Sequence, residues 1–149
     1  MNLENSLTYL LTQIATGYKN NLQKMMNEIG LHSGQVFVLA ALWQTDGQSQ
    51  IDLVKSLGLS PPTVNKMIGS LEKNGFVKSR KCGGDGRVMR VHLTEKGIAV
   101  KTPVENQWLK LETESFANLT ETEKLVLQQL FGKLKENLGR GVASQPNAL

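Results

Sequence analysis

Within the first 30 residues, apolar side chains recur at steps of three and four: Leu7, Leu11, Ile14, Tyr18, Leu22, Met25 and Ile29. That period predicts an amphipathic helix of about seven turns, closed by Gly30. Ser33 reads as the N-cap of a second helix from Gly34 to about Thr45. The second helix is apolar without a break from Val36 to Trp43, so it is expected to be buried on most sides. Asp46-Gly47 is a turn signal. Ile51, Val54 and Leu57 then mark a short third helix that Gly58 breaks, with Leu59 expected as a core plug in the turn. Ser60 and Pro61 are the N-cap and first residue of a fourth helix. It runs to Lys73 or Asn74, buries Val64, Met67 or Ile68, and Leu71, and ends on Gly75.

Beyond Gly75 the period changes. Phe76 to Lys81 mixes apolar and basic residues at strand density, and Gly83-Gly84-Asp85-Gly86 is a hairpin tip. Val88 to Leu93 returns as a second strand in which Met89, Val91 and Leu93 alternate. Thr94 caps a fifth helix carrying Ile98, Val104, Trp108 and Leu111, which Pro103 kinks or restarts. Thr120-Glu121-Thr122-Glu123 is a capping box for a sixth helix with Leu127, Leu130, Leu134 and Leu138 on one stripe. Residues from Gly139 onward lose periodicity and are expected to form a disordered tail. The fold class is mainly α with a small antiparallel β-hairpin, a winged helix-turn-helix flanked by N- and C-terminal helices.

Composition adds exclusions. The longest apolar run has eight residues, too few to span a membrane. A single cysteine, Cys82, cannot form an internal disulfide, and the first residues carry no secretory pattern, so a cytoplasmic location is expected. His32, His92 and Cys82 do not make a metal motif, and no nucleophile–base pair or phosphate loop suggests an enzyme. No cofactor is expected.

Charge sharpens the picture more. From Ser60 to Lys96 there are eight basic residues against three acidic ones, a net +5. The other 112 residues carry nine basic and ten acidic groups, a net −1. A local basic face is the footprint of a phosphate-binding surface. The fourth helix, with its apolar face turned inward, presents Pro62, Thr63, Asn65, Lys66 and Ser70 outward or tangentially. Ser60 and Thr63 suit phosphate or a base edge, Asn65 suits adenine, and Lys66 suits guanine or phosphate. Pro61 and Pro62 remove two of the backbone donors that a helix start would otherwise offer. In the hairpin, Arg87 just past the glycine-rich tip fits a narrow minor groove, with Asp85 able to hold its guanidinium. Arg90 adds charge to the same hairpin.

Four segments carry a family resemblance: "LVKSLGL" (Leu53 to Leu59), "SPPTV" (Ser60 to Val64), "LEKNGFV" (Leu71 to Val77) and the wing "DGRVMRVHLTEKG" (Asp85 to Gly97). The chain resembles MarR-family transcriptional regulators over nearly all of residues 5–138. The resemblance implies that Asp85 and Arg87 are the wing pair, and that Thr63, Asn65 and Lys66 contact bases and phosphate. It implies a homodimer on pseudo-palindromic double-stranded DNA, answering to a small aromatic or anionic effector and most often repressing. It implies a division into a dimerisation helix (1–30), a DNA-binding lobe (31–97) and C-terminal dimerisation helices (98–138), before the tail 139–149. The wide apolar stripes of the outer helices fit that division independently. Val88, Gly69 and Ser70 depart from the family pattern, the last two where Asp and Arg are frequent. No effector residues are assigned: Tyr18, Phe37 and Trp43 either line a pocket or belong to the core, with core preferred. Two alternatives stand beside this reading. One is a redox- or metal-responsive regulator, the redox form using Cys82. The other is a winged-helix module that binds protein instead of DNA.

Overall fold

Ser6 starts the first long helix by accepting the Tyr9 N–H on its hydroxyl at 3.2 Å. The computed structural model describes residues 2–82 and 88–143, with side chains as far as Gly139. After a 3-10 turn (Leu3–Asn5), the helices are α1 (Leu7–Asn27), α2 (Ser33–Gln44), α3 (Gln50–Leu57), α4 (Pro61–Lys73), α5 (Glu95–Ala99), α6 (Lys101–Ser115) and α7 (Glu121–Ala143). The strands are β1 (Gln48–Ser49), β2 (Val77–Cys82) and β3 (Val88–Leu93). The described residues form two compact units that divide within α6, after Leu111.

In the first unit, α1 buries only its C-terminal end, through Leu22 and Met26. The chain leaves it at Gly30, whose φ of +77° is left-handed, while the Leu31 N–H closes back on the Met26 carbonyl at 3.0 Å. The cap of α2 differs from expectation. His32, not Ser33, occupies it: Nδ1 accepts the Gly34 N–H at 3.2 Å, and the Gln35 side chain accepts the His32 N–H at 2.9 Å. The reciprocal arrangement is a capping box built on an imidazole. The expectation of a deeply buried α2 holds, with Val36, Val38, Leu39 and Leu42 in the core.

At the far end of α2, Gln48 donates to the carbonyl of Ala41 (2.9 Å), which also accepts the Thr45 N–H, and to that of Thr45 (2.8 Å). Gln48 and Ser49 also form β1, which the sequence pattern did not reveal. β1 pairs antiparallel with β3 (Gln48 with Val91, Ser49 with Arg90), making a three-stranded sheet of order β1-β3-β2.

Ser49 and Asp52 cap α3 reciprocally, at 3.1 and 3.2 Å. The Ser49 hydroxyl, then its N–H, hold the Asp52 carboxyl below the ordinary range; burial opposes them, and the charges of Arg90 and Lys55 add the smallest lowering effects. A depressed folded pKa contributes stability that is full above the unfolded value and disappears as pH falls through the folded one. Asp52→Asn keeps an acceptor for the Ser49 N–H but does not titrate. Thermal melts from pH 6 to pH 3 should therefore show a smaller loss of stability below about pH 4 in the variant; equal losses would dismiss the cap as a source of acid sensitivity.

Gly58, at φ +64°, turns the chain from α3 towards α4. Leu59 is not a core plug; it is 37% exposed, because the left-handed glycine and the Ser60 cap form the turn without it. The core joins α1 to α4, β2 and β3 through Met26, Leu39, Leu53, Val64, Leu71, Val77 and Val91. Pro103 restarts the chain instead of kinking it: α5 ends at Ala99, and the proline is the third residue of α6.

In the second unit, Thr120 and Glu123 bond each other's backbone N–H at 3.2 and 3.0 Å, the expected capping box. The helix it starts runs to Ala143, past the expected end near Leu138 and into the segment read as a disordered tail. Residues 144–149 lie outside the described residues. Leu125, Val126, Leu130, Phe131, Leu134 and Leu138 of α7 are exposed. Among the described residues, no helix is long and apolar enough to cross a membrane.

Candidate nucleic-acid interface

The start of α4 is closed upon itself. The Ser60 hydroxyl accepts the Thr63 N–H at 3.4 Å and lies 2.8 Å from the Thr63 hydroxyl, while the Val64 N–H reaches the Ser60 carbonyl at 3.1 Å. Pro61 and Pro62 have no N–H. The helix start therefore offers few free backbone donors, and any recognition falls to side chains. With Val64, Ile68 and Leu71 turned inward, Ser60, Pro62, Thr63, Asn65 and Lys66 are all exposed on the outer side.

Ser70 differs from the other candidates. Its hydroxyl is half-buried and accepts the Gln35 Nε2–H at 2.7 Å, so it faces α2 and not the outer side expected of a contact residue.

The hairpin register sorts the wing into two faces. Val77, Ser79 and Lys81 of β2 stand opposite Leu93, Val91 and Met89 of β3, and this face runs into the core through Val77 and Val91. Lys78, Arg80 and Cys82 stand opposite His92, Arg90 and Val88 on the other face, as the period of two requires. Arg80 and Arg90 are direct cross-strand partners, and both are exposed. Like charges in that position destabilise a hairpin, and an anion between them relieves the cost. Arg90 also donates to the Gly47 carbonyl at 3.1 Å, which ties the wing to the turn before β1. Asp46 binds the base of the wing by accepting the Leu93 N–H at 2.9 Å. Asp85 and Arg87, expected as the wing pair, lie outside the described residues.

The wing is anchored at its base by a backbone crossing. The Thr94 hydroxyl donates to the Gly75 carbonyl at 2.6 Å and accepts the Gly97 N–H at 3.1 Å, while the Thr94 N–H reaches the Phe76 carbonyl at 3.1 Å. Lys96 donates to the Asn74 carbonyl at 2.7 Å and sits 4.4 Å above the Phe76 ring. Trp43 reaches across from α2, donating Nε1–H to the Gly97 carbonyl at 2.9 Å. Trp43 is thus a tie between elements. Phe37 is 46% exposed and meets the Trp108 ring edge-on at 6.2 Å. Tyr18 packs partly buried against the core.

Residues 31–89 match the model of the MarR family. The winged lobe is thus similar to the MarR family. Several of the solved structures that this chain resembles are described as transcriptional regulators. A putative MarR-family transcriptional regulator from Listeria monocytogenes, solved with a 26mer DNA, aligns over 97% of this chain and 99% of its own, at 21% identity and TM-score 0.82. A MarR protein from Peptoclostridium difficile aligns over 95% and 93%, at 21% identity and TM-score 0.84. Bordetella bronchiseptica BpsR, whose DNA binding is regulated through 6-hydroxynicotinic acid, aligns over 91% and 96%, at 21% identity and TM-score 0.83. At these identities the likeness establishes the fold alone.

Two features of the winged lobe were not read from the sequence. One is Gln35, hidden inside an apolar stretch. The other is the second attachment of Arg90, which depends on a strand of two residues. The His32-x-x-Gln35 spacing carried the first signal, but histidine is not among the usual capping residues.

Proposed function

We propose that this protein is a sequence-specific, double-stranded-DNA-binding transcriptional regulator that works as a cytoplasmic homodimer on a pseudo-palindromic operator. The observation that carries the reading is the concentration of exposed Thr63, Asn65 and Lys66 on the outer side of α4, in one lobe with a wing whose outer face carries Lys78, Arg80 and Arg90. Ser60 and Pro62 shape the start of the reading helix. Asn65 and Lys66 address base edges and phosphate. Arg90, with Asp85 and Arg87 of the wing, addresses the backbone and the minor groove. Residues 1–30 and 98–138 supply the dimer frame around the lobe of 31–97. The exposed leucines of α1 and α7 support this assignment, since neither helix covers its own stripe. In the further proposal that a small aromatic or anionic effector releases a repressing dimer, the support is the Bordetella neighbour.

Binding-site selection from random duplex tests the reading. A selected site with two-fold symmetry and a steep fall of affinity with salt is the expected result, because phosphate contacts release counterions. Retention of no duplex even at low salt would exclude it. Within that assay, Lys66→Ala should weaken binding to selected and unrelated duplexes alike and flatten the salt slope by about 1 if Lys66 meets phosphate. If it relaxes the choice of base at one position with the slope unchanged, Lys66 reads guanine instead.

A further inference from the structure

Gln35 is one of two polar side chains buried among the described residues, at 4% exposure. Both ends of its amide are engaged. Oε1 accepts the His32 N–H at 2.9 Å, and Nε2 donates to the Ser70 hydroxyl at 2.7 Å. The orientation of the amide is fixed chemically: the His32 N–H can only donate, so the oxygen must face it and the NH2 must face Ser70. His32 is itself held as the cap of α2, through Nδ1 and the Gly34 N–H at 3.2 Å. A directional chain thus runs from the α2 cap through one buried amide to the ninth residue after the start of α4.

The other inward-facing residues of α4 are apolar (Val64, Ile68 and Leu71), and its further polar ties lie in its last turn and cap, where Glu72 accepts the Ser79 N–H at 3.0 Å and Lys96 holds the Asn74 carbonyl. Apolar packing resists separation but tolerates small rolls and slides, since it has no preferred direction. A hydrogen bond has one, and weakens steeply when misaligned. A roll of about 20° at the ~5–6 Å outer radius of a helix carries a side-chain tip by about 2 Å, enough to lose a bidentate base contact.

We propose that Gln35 is a positioning residue: by clamping Ser70 it fixes the rotation of α4 on α2, and so sets base discrimination while leaving phosphate affinity to the exposed cations. This rests on the DNA-reading function proposed above. It also gives the half-buried Ser70 a role that does not require it to touch DNA.

The test compares wild-type protein with Gln35→Met, Ser70→Ala, the double variant and Ser70→Thr, on the duplex selected by the wild type and on a scrambled one at fixed salt. Gln35→Met, at a position no nucleic acid reaches, should lower the ratio of the two affinities by about five- to tenfold, the lower end of the range for one good base contact. Its affinity for scrambled duplex and its salt slope should stay the same. Ser70→Ala should do likewise, the double variant should be no worse than either single, and Ser70→Thr should keep the wild-type ratio. An unchanged ratio in Gln35→Met, or additive losses in the double variant, would overturn the proposal, because two halves of one clamp cannot add. Amide exchange on the free protein supplies an arm independent of DNA. Ser70→Ala should speed exchange over 71–76, where the N–H groups of Asn74, Gly75 and Phe76 close the end of α4, with α1 unaffected. Unchanged exchange sinks the clamp, whereas a wild type that selects no duplex sinks the DNA-reading function, so the two failures are told apart.

Discussion

Gly97→Ala is expected to destabilise the fold by about 4 kcal/mol, among the larger effects a single methyl group can have. A Cβ at this position would stand 2.0 Å from the Phe76 carbonyl oxygen, 3.1 Å from its carbon and 3.2 Å from Leu93 Cδ2. The nearest obstacle is backbone, and that backbone is committed: the same carbonyl accepts the Thr94 N–H at 3.1 Å. Gly97 cannot retreat either, since its N–H is held by the Thr94 hydroxyl and its carbonyl by Trp43. Overpacking alone costs about 1–3 kcal/mol, and each hydrogen bond lost in making room adds roughly 1 kcal/mol. Urea unfolding of the two proteins measures the difference, and Gly69→Ala is the control. Gly69 lies within α4 with nothing within 4 Å of an added Cβ, so there alanine should stabilise by up to about 1 kcal/mol. A loss below about 1 kcal/mol in Gly97→Ala would mean that the Phe76 carbonyl can move aside. The functional consequence follows from place: this crossing joins the base of the wing to the end of α4, so loosening it separates the two parts of the proposed DNA surface.

The features legible in the sequence were those set by local chemistry. Gly58 turns the chain between α3 and α4 in the left-handed conformation its residue type favours, and Ser60 and Thr120 cap the helices they precede. The wing strands followed from a period of two. The features that were not legible depend on partners distant in the chain. β1 is two residues long and exists because Gln48 meets Val91. Gln35 lies in a segment whose apolar neighbours masked it, and its meaning comes from Ser70, 35 positions away. Ser70 was expected outward or tangential because the roll of α4 could not be set from its apolar residues alone. Leu59 looked like a plug because leucine in a turn usually is one, yet Gly58 and Ser60 complete that turn. Met89 alternates with Val91 and Leu93 but is exposed, since β3 extends there beyond its pairing with β1. Gly132, Gly139 and Gly141 each cost a helix roughly 1 kcal/mol relative to alanine, and α7 nevertheless continues through all three to Ala143. In the proposed interface, residue types were readable and orientations were not.

Ile14→Glu should convert the proposed dimer to a monomer and reduce affinity for the selected two-fold site by about 10²–10⁴-fold, the contribution of linking two binding events. In a single chain the position is undemanding. Ile14 is 62% exposed, near Leu7 at 85%, Leu10 at 46% and Leu11 at 41%, and α1 has no buried residue before Leu22. A surface substitution of that kind ordinarily shifts stability by no more than about 0.5 kcal/mol. Yet an isolated stretch of helix this short is marginal in water, and four large apolar side chains along its first half are more than one chain needs to expose. Burying a leucine or isoleucine against a partner contributes about 1.5–3 kcal/mol each, which is the drive for association. A carboxylate in the same place loses that contribution and is costly to take out of water without a partner. Sedimentation equilibrium reads the mass, and duplexes carrying one or two half-sites read the consequence. The variant should match wild type on a single half-site and fall behind only on the pair, because each reading helix stays intact while the coupling between them is lost. A variant that remains dimeric with full affinity would remove the α1 face from the interface. A wild type that sediments as a monomer while still choosing a two-fold site would place the pairing on the DNA itself, where each chain arrives alone.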